Sequence, residues 1–231
     1  MDQISGKLVE QLIYSSDHPA HLKDINGKYL ISNEANNSLF LGKGASSIVG
    51  QTIWDLNSYM APLWGNMAID IMTIETNMKA NGQIYTKNRY PFLNVDGFLV
   101  IQSVKKYPVF SSKNSINSIN SIFSIGEIVT ERINLFELFK LYLQCYSVSN
   151  KGRQKFLEHL GILNEFYELP TEREMIILIA KKYYCHPKLI ASKLGIETKT
   201  VESHIYKIKL KLKSELNSVV LSIGLKFEEL I

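Results

Sequence analysis

The pattern of apolar and polar side chains divides the chain near residue 130. Before this point, short segments in which apolar and polar residues alternate are separated by glycine, asparagine, aspartate and serine. This pattern is typical of half-buried strands joined by turns. After it, apolar side chains recur every three or four residues, which indicates helices. The pattern therefore predicts an α+β protein with a sheet in its front part and helices behind it.

The front part contains five predicted strands. They are residues 21–25, 28–33, 83–90, 98–110 and 118–130. Asn26-Gly27 predicts a two-residue hairpin with positive φ at both positions, and Asp96-Gly97 predicts a second turn. A loop rich in serine and asparagine, with a Ser-Ile-Asn repeat at 115–120, precedes the last strand. Short helices are predicted around Trp54, Met60 and Trp64.

Residues 131–168 are predicted to form a helical connector between a front domain, 1–130, and a final domain, 169–231. One strongly apolar helix begins near Ile133 and continues past Tyr142. After an interruption at 147–152, a second helix is predicted from 153 to about 166. Such helices either pack on a domain or pair with a second copy of the chain.

Three short helices are predicted in the final domain. Thr171 and Glu174 have the spacing of a capping box and open the first. Pro187 and Gly195 mark the start and end of the second. Its expected buried residues are Leu189, Ile190 and Leu194. A third helix follows a three-residue turn and covers 198–213, which is the order of a helix-turn-helix.

The third helix is amphipathic. At 100° per residue its inward stripe is Val201, Ile205, Ile208 and Leu212. The residues expected to face the major groove of DNA are Thr198, Lys199, Thr200, Glu202, Ser203, Tyr206 and Lys207. The lysines expected to meet phosphates are Lys188, Lys193, Lys209, Lys211 and Lys213. An ordinary bundle helix has the same pattern, so helix order and charge must support the DNA interpretation.

The positive charge of the chain is confined to its last quarter. Residues 169–231 contain ten lysines and one arginine against seven glutamates, a net charge of +4. The first 168 residues contain 15 basic and 15 acidic side chains and are neutral. Within 169–213 the net charge reaches +6, which suits a phosphate backbone. A solvated lysine-rich face is the alternative.

Residues 190–205 resemble the LuxR-type helix-turn-helix, whose usual pattern is Ile-Ala-x-x-Leu-x-Ile-Ser-x-x-Thr-Val-x-x-His. Every fixed position matches except Glu197, where the family has a capping serine, so Thr198 is expected to cap instead. The resemblance implies a transcription regulator, with double-stranded DNA and RNA polymerase as partners. It also implies a fourth helix at 214–227 that pairs two copies into a homodimer, through Leu216, Val219, Val220, Ile223 and Leu225.

The front half resembles a PAS domain. Lys23-Asp24-Ile25-Asn26-Gly27-Lys28-Tyr29 matches the family pattern Lys-Asp-x-x-Gly-x-Tyr, and 48–55 matches Ile-x-Gly-x-Thr-x-x-Asp. The resemblance implies a five-stranded antiparallel sheet with short helices on one face, used to sense a small-molecule signal or to dimerise. The residues expected to line a candidate ligand pocket are Tyr29, Trp54, Trp64 and Phe98. His18 and His21 are expected at the surface.

Other classes of function find little support in the sequence. It contains no nucleotide-binding loop, zinc tract or nucleophile elbow, so no enzyme is predicted. Haem and flavin motifs are also missing, which leaves any cofactor unknown, and Cys145 and Cys185 form no metal-ligand spacing. Without a secretory signal or a long apolar stretch, the expected location is the cytoplasm, away from membranes. A PAS-based protein adaptor and a sigma-like factor remain as alternatives.

Overall fold

The computed structural model describes residues 3–41, 46–110 and 119–223, without the side chains of 3–7. The chain forms two compact units, one ending at Val129 and the other beginning at Thr130. In the part of the chain that the structure describes, all the strands lie in the first unit and the second unit is helical. The α+β class predicted from the sequence is therefore confirmed.

A five-stranded antiparallel sheet forms the centre of the first unit. The strands are β1 Ala20–Asp24, β2 Tyr29–Ser32, β3 Tyr85–Leu93, β4 Leu99–Phe110 and β5 Ile119–Ile128. Their order in the sheet is β2-β1-β5-β4-β3, so the last strand lies at the centre beside the first. This confirms the PAS-like sheet expected from the sequence. The predicted serine- and asparagine-rich loop lies mostly in 111–118, outside the described residues.

The turns of the hairpins β1–β2 and β3–β4 have the same hydrogen-bond pattern. Asp24 Oδ1 accepts from the amides of Asn26 and Lys28 at 2.9 and 2.8 Å. Asn94 Oδ1 accepts from residues 96 and 98 in the same way, at 3.1 and 2.8 Å. Only the glycines, Gly27 with φ 85° and Gly97 with φ 75°, adopt positive φ in these turns. The predicted two-residue turn at Asn26-Gly27 is therefore wrong, because the side-chain acceptor favours a longer turn that needs a single glycine.

Helices pack on both faces of the sheet. They are α1 Gln3–Ser15, α2 Glu34–Leu41, α3 Ile53–Trp64 and α4 Met67–Asn81. The helices α2, α3 and α4 build the main core with Tyr29, Phe92 and Val100 of the sheet. On the opposite face, Ile13 of α1 packs against Ala20 and Leu22 of β1. Helices were expected on one face only, so the position of α1 is a correction.

The second unit begins with an antiparallel helix pair, α5 Leu135–Cys145 and α6 Ser149–Leu160. The helix α6 starts four residues earlier than predicted and contains Gly152. A Cβ at Gly152 would lie 2.9 Å from the carbonyl oxygen of Tyr142, so only glycine allows this close approach to α5. Phe136 of α5 stacks on Tyr183, and the Tyr183 hydroxyl accepts from the Leu135 amide. The predicted connector helices therefore pack within the second unit.

The remaining helices are α7 Glu172–Tyr183, α8 Pro187–Leu194, α9 Thr198–Lys211 and α10 Leu216–Ile223. A short segment before α7, residues 165–168, which we call the clasp, pairs with the end of α9. The amides of Tyr167 and Lys213 donate to the carbonyls of Lys211 and Glu165, both at 2.8 Å. No helix in the described part of the chain is long and apolar enough to span a membrane.

Candidate functional site

The first candidate site is the surface formed by α7, α8 and α9. The capping box predicted at the start of α7 is present, with Glu174 Oε2 accepting from the Thr171 amide at 2.7 Å. Pro187 occupies the first turn of α8, and Gly195 ends it with φ 65°. A short turn then leads into α9, and all three helices pack against one another. The helix-turn-helix order predicted from the sequence is therefore observed.

The inward side of these helices is apolar. Val201 and Ile208 of α9 are buried, as are Leu212 directly after it and Ile190 of α8. Ile205 and Leu194 are half-buried. Leu189 is 49% exposed, so its predicted burial is wrong: it lies next to Ile190 on the side of α8 that faces solvent.

The outward side of α9 presents the residues predicted to contact DNA. Six of the seven are exposed: Lys199, Thr200, Glu202, Ser203, Tyr206 and Lys207. Thr198 is half-buried at the first position of the helix. The predicted cap by Thr198 is wrong, because Glu197 holds the cap position with extended backbone and no side-chain cap bond. Four of the lysines expected to meet phosphates, Lys188, Lys193, Lys209 and Lys213, are exposed as well.

Lys211 was expected to contact a phosphate, but it is paired with two carboxylates of the protein. Its ammonium lies 2.9 Å from Glu168 Oε1 and 3.0 Å from Glu174 Oε2, and its side chain is 14% exposed. Although burial opposes it, pairing with the two carboxylates raises the pKa of Lys211. Lys211 therefore ties the end of α9 to the clasp and to the start of α7.

The helix expected to pair two copies, α10, packs its apolar side within the second unit. Leu216, Val219 and Ile223 of α10 are buried, and α10 packs on α7. These three side chains are thus not available for the predicted dimer contact. Val220 is half-buried, Leu221 is 70% exposed, and Leu225 lies outside the described residues.

The second candidate site is a cavity of about 70 Å³ in the first unit, between the inner face of the sheet and helices α2 and α4. Of the four residues predicted to line a pocket, only Tyr29 does so. Trp54 is half-exposed on α3, and Trp64 packs edge-on against Phe40 and donates to Asn57 Oδ1. Phe98 is half-buried beside the Asn94 turn and does not line the cavity.

Charged residues that were not predicted to line a pocket lie at this cavity: Lys23 and Lys106 line it, and Glu75 pairs with both. Glu75 of α4 is 1% exposed, and its Oε1 accepts from Lys23 Nζ at 3.0 Å and from Lys106 Nζ at 2.8 Å. Lys106 also donates to Ser124 Oγ at 3.3 Å. Burial raises the pKa of Glu75, but the two ammonium groups outweigh it and lower the pKa to about 2. We call Lys23, Glu75 and Lys106 the buried triad.

His21 lines the same cavity, so its predicted surface role is wrong, whereas His18 is exposed as expected. The Nδ1 atom of His21 lies 3.3 Å from Asn36 Oδ1. The Asn36 amide group donates to Ser32 Oγ, so Asn36 Oδ1 is the acceptor and His21 Nδ1 carries the proton. Burial, followed by Lys106 and Lys23, holds the pKa of His21 well below its usual value. The ring is neutral, and its Nε2 is an acceptor.

Several solved structures are similar to this chain. VqmA from Vibrio cholerae, solved with ligand and DNA, is 19% identical, and the match covers 96% of this chain and 86% of that one with a TM-score of 0.45. Phage VqmA in complex with DPO is 14% identical over 96% and 87% of the two chains, with a TM-score of 0.45. The PAS domain of BvgS from Bordetella pertussis is 19% identical over 63% of this chain and all of that one, with a TM-score of 0.46.

No protein-family model matches the sequence, and no curated protein matches it. The first unit is PAS-like in its strand order, and the second has the helix order and caps of a helix-turn-helix.

Proposed function

We propose that the protein is a transcription regulator that binds double-stranded DNA in a sequence-specific way through α9. The observation that carries the proposal is the two-sided character of this helix. Val201 and Ile208 hold its inner side against α7 and α8, and its outer side is exposed to solvent. An exposed helix with lysine and hydroxyl side chains fits the major groove, where lysine recognises guanine and hydroxyls recognise phosphates or base edges.

The lysines around α9 supply the electrostatic part of this binding. Lys188 and Lys193 of α8 and Lys209 and Lys213 near the end of α9 are exposed on the same three-helix assembly. Each neutralised phosphate releases condensed counterions, so the logarithm of the binding constant falls by about 0.9 per phosphate for each tenfold rise in salt. A DNA-binding α9 therefore predicts a steep salt dependence that lysine substitutions on this surface reduce.

The test compares the Lys199→Ala/Lys207→Ala variant with the wild type on genomic fragments that the full-length protein retains. Sequencing the retained fragments names the target, and a salt titration measures the slope. We expect weaker binding and a slope reduced by about 0.9 for each phosphate that the variant no longer neutralises. Lys140→Ala, an exposed lysine on α5, is the matched control and should bind as the wild type does.

Unchanged binding by the double variant across the salt series would refute the role of α9. Failure of the wild type to retain any fragment, together with capture of an acidic protein, would favour the adaptor alternative. Retention of DNA only in the presence of core RNA polymerase would favour a sigma-like factor.

The proposal includes gating and assembly. A signal bound in the cavity of the first unit would change DNA affinity, as expected for two coupled sites. A homodimer would place two copies of α9 on a near-palindromic site, and the separation of half-sites in the retained fragments would report it. RNA polymerase is the proposed partner that converts binding into regulation.

A further inference from the structure

The charged residues that line the cavity are all positive. Three lysines line it, Lys23, Lys87 and Lys106, and no aspartate or glutamate is among the described residues that do. Glu75 lies behind the wall and is shared by Lys23 and Lys106, so the buried triad holds two ammonium groups and one carboxylate. One positive charge of this buried group has no counter-charge within the triad.

The strand register places four polar side chains of the cavity wall in one row across the sheet. His21, Ser124, Lys106 and Tyr85 are consecutive cross-strand partners on β1, β5, β4 and β3, so their side chains form one row on the inner face. The rest of the wall is largely apolar and includes Phe40, Met67, Ile71, Phe92 and Val104. The cavity thus suits a molecule with a polar end and a compact apolar end.

A buried ammonium without full compensation is costly, and an anion beside it would remove that cost. His21 adds a second requirement. Its Nε2 is buried, accepts hydrogen bonds and has no partner in the described part of the protein. An unsatisfied buried acceptor costs about 1–3 kcal/mol, which a donor on the ligand would recover. His21 and Lys106 flank Ser124 in the same cross-strand row, and Lys106 donates to Ser124 Oγ, so a ligand that reaches both needs its donor beside its anionic group.

We propose that the cavity binds a small 2-hydroxy carboxylate. Its carboxylate pairs with Lys106 and Lys23, its hydroxyl donates to His21 Nε2, and its short aliphatic body lies against Ile71 and Phe92. Only the role of this acid as the gating signal rests on the proposed function. Binding of the acid itself is measured without DNA.

The test is calorimetric titration of the full-length wild type with three probes that share one carbon skeleton. They are 2-hydroxybutanoate, its amide 2-hydroxybutanamide, and butanoate. The amide has no negative charge to pair with Lys106 and Lys23. Loss of a bond to a buried charged group weakens binding about tenfold or more, so the amide should bind at least tenfold more weakly than the acid. Butanoate, which lacks the donor to His21, should also bind more weakly than 2-hydroxybutanoate.

Variants test the assignment of the anion site. Lys106→Met should abolish the preference for the acid over the amide, and Lys23→Met serves the same purpose if the first variant fails to fold. Lys105→Met is the matched control, because Lys105 is the exposed neighbour on the other face of β4. Equal affinity of the wild type for acid and amide, or no binding of either, overturns the proposal and leaves the buried triad a purely structural feature. Because no DNA is present, these outcomes are independent of whether α9 binds a promoter.

Discussion

Replacing Glu75 with glutamine keeps the shape of the side chain and removes the carboxylate that Lys23 and Lys106 share. Burial alone would raise the pKa of Glu75, yet the two ammonium groups lower it from 4.5 to about 2. Each pKa unit corresponds to about 1.4 kcal/mol, so ionised Glu75 contributes roughly 3 kcal/mol to the free energy of unfolding at neutral pH. Because the folded-state pKa is depressed, this contribution is complete above about pH 5 and is lost as the pH falls toward about 2.

Urea unfolding at several pH values measures this contribution. Both tryptophans of the chain, Trp54 and Trp64, lie in the first unit, so their fluorescence follows the unfolding of the unit that contains Glu75. The difference between the wild type and Glu75→Gln should be at least about 3 kcal/mol at pH 7 and should shrink by more than half by about pH 3. Glu10→Gln, an exposed position on α1, is the control. A difference that stays constant with pH would show that the carboxylate is not held ionised by the two lysines.

Two further predictions concern the helical unit. Gly152→Ala should lower its stability by about 1–3 kcal/mol in thermal unfolding followed by circular dichroism, because the new methyl group would meet the Tyr142 carbonyl; an unchanged melting temperature would contradict the close approach of α6 to α5. Lys211→Met should destabilise the unit by about 1–3 kcal/mol, since it leaves buried Glu174 without its ammonium partner. The same variant should leave the salt slope of DNA binding unchanged, because Lys211 is paired with Glu168 and Glu174. A reduced slope would show that Lys211 contacts a phosphate.

Local sequence signals predicted most of the fold. The spacing of Thr171 and Glu174 marked the start of α7, and Pro187 and Gly195 marked both ends of α8. These signals work because each depends on groups within four residues of one another or on a single backbone angle. The exposed side of α9 could be predicted for the same reason, since one helical period decides which residues face inward.

The cavity could not be predicted this way. Lys23 is separated by 52 residues from Glu75, and Glu75 by 31 from Lys106, so the buried triad exists only once the sheet and α4 are in place. A lysine in an alternating strand normally points to solvent, but Lys23 and Lys106 lie on the face of the sheet that α2, α3 and α4 cover. For Trp54 a local signal was available: the buried positions of α3, beginning at Ile53 and ending at Trp64, follow a helical period that leaves Trp54 on the other side.

The clasp sets a limit on how the protein can be divided for experiments. Three backbone and side-chain bonds join Glu165 and Tyr167 to residues 211–214, and one of the Lys211 ion pairs ends on Glu168. An expression fragment that begins at residue 169 would lose the backbone bridge between Phe166 and Leu212 and would leave the carboxyl end of α9 without these bonds. Fragments intended to carry DNA binding alone should therefore start upstream of Glu165.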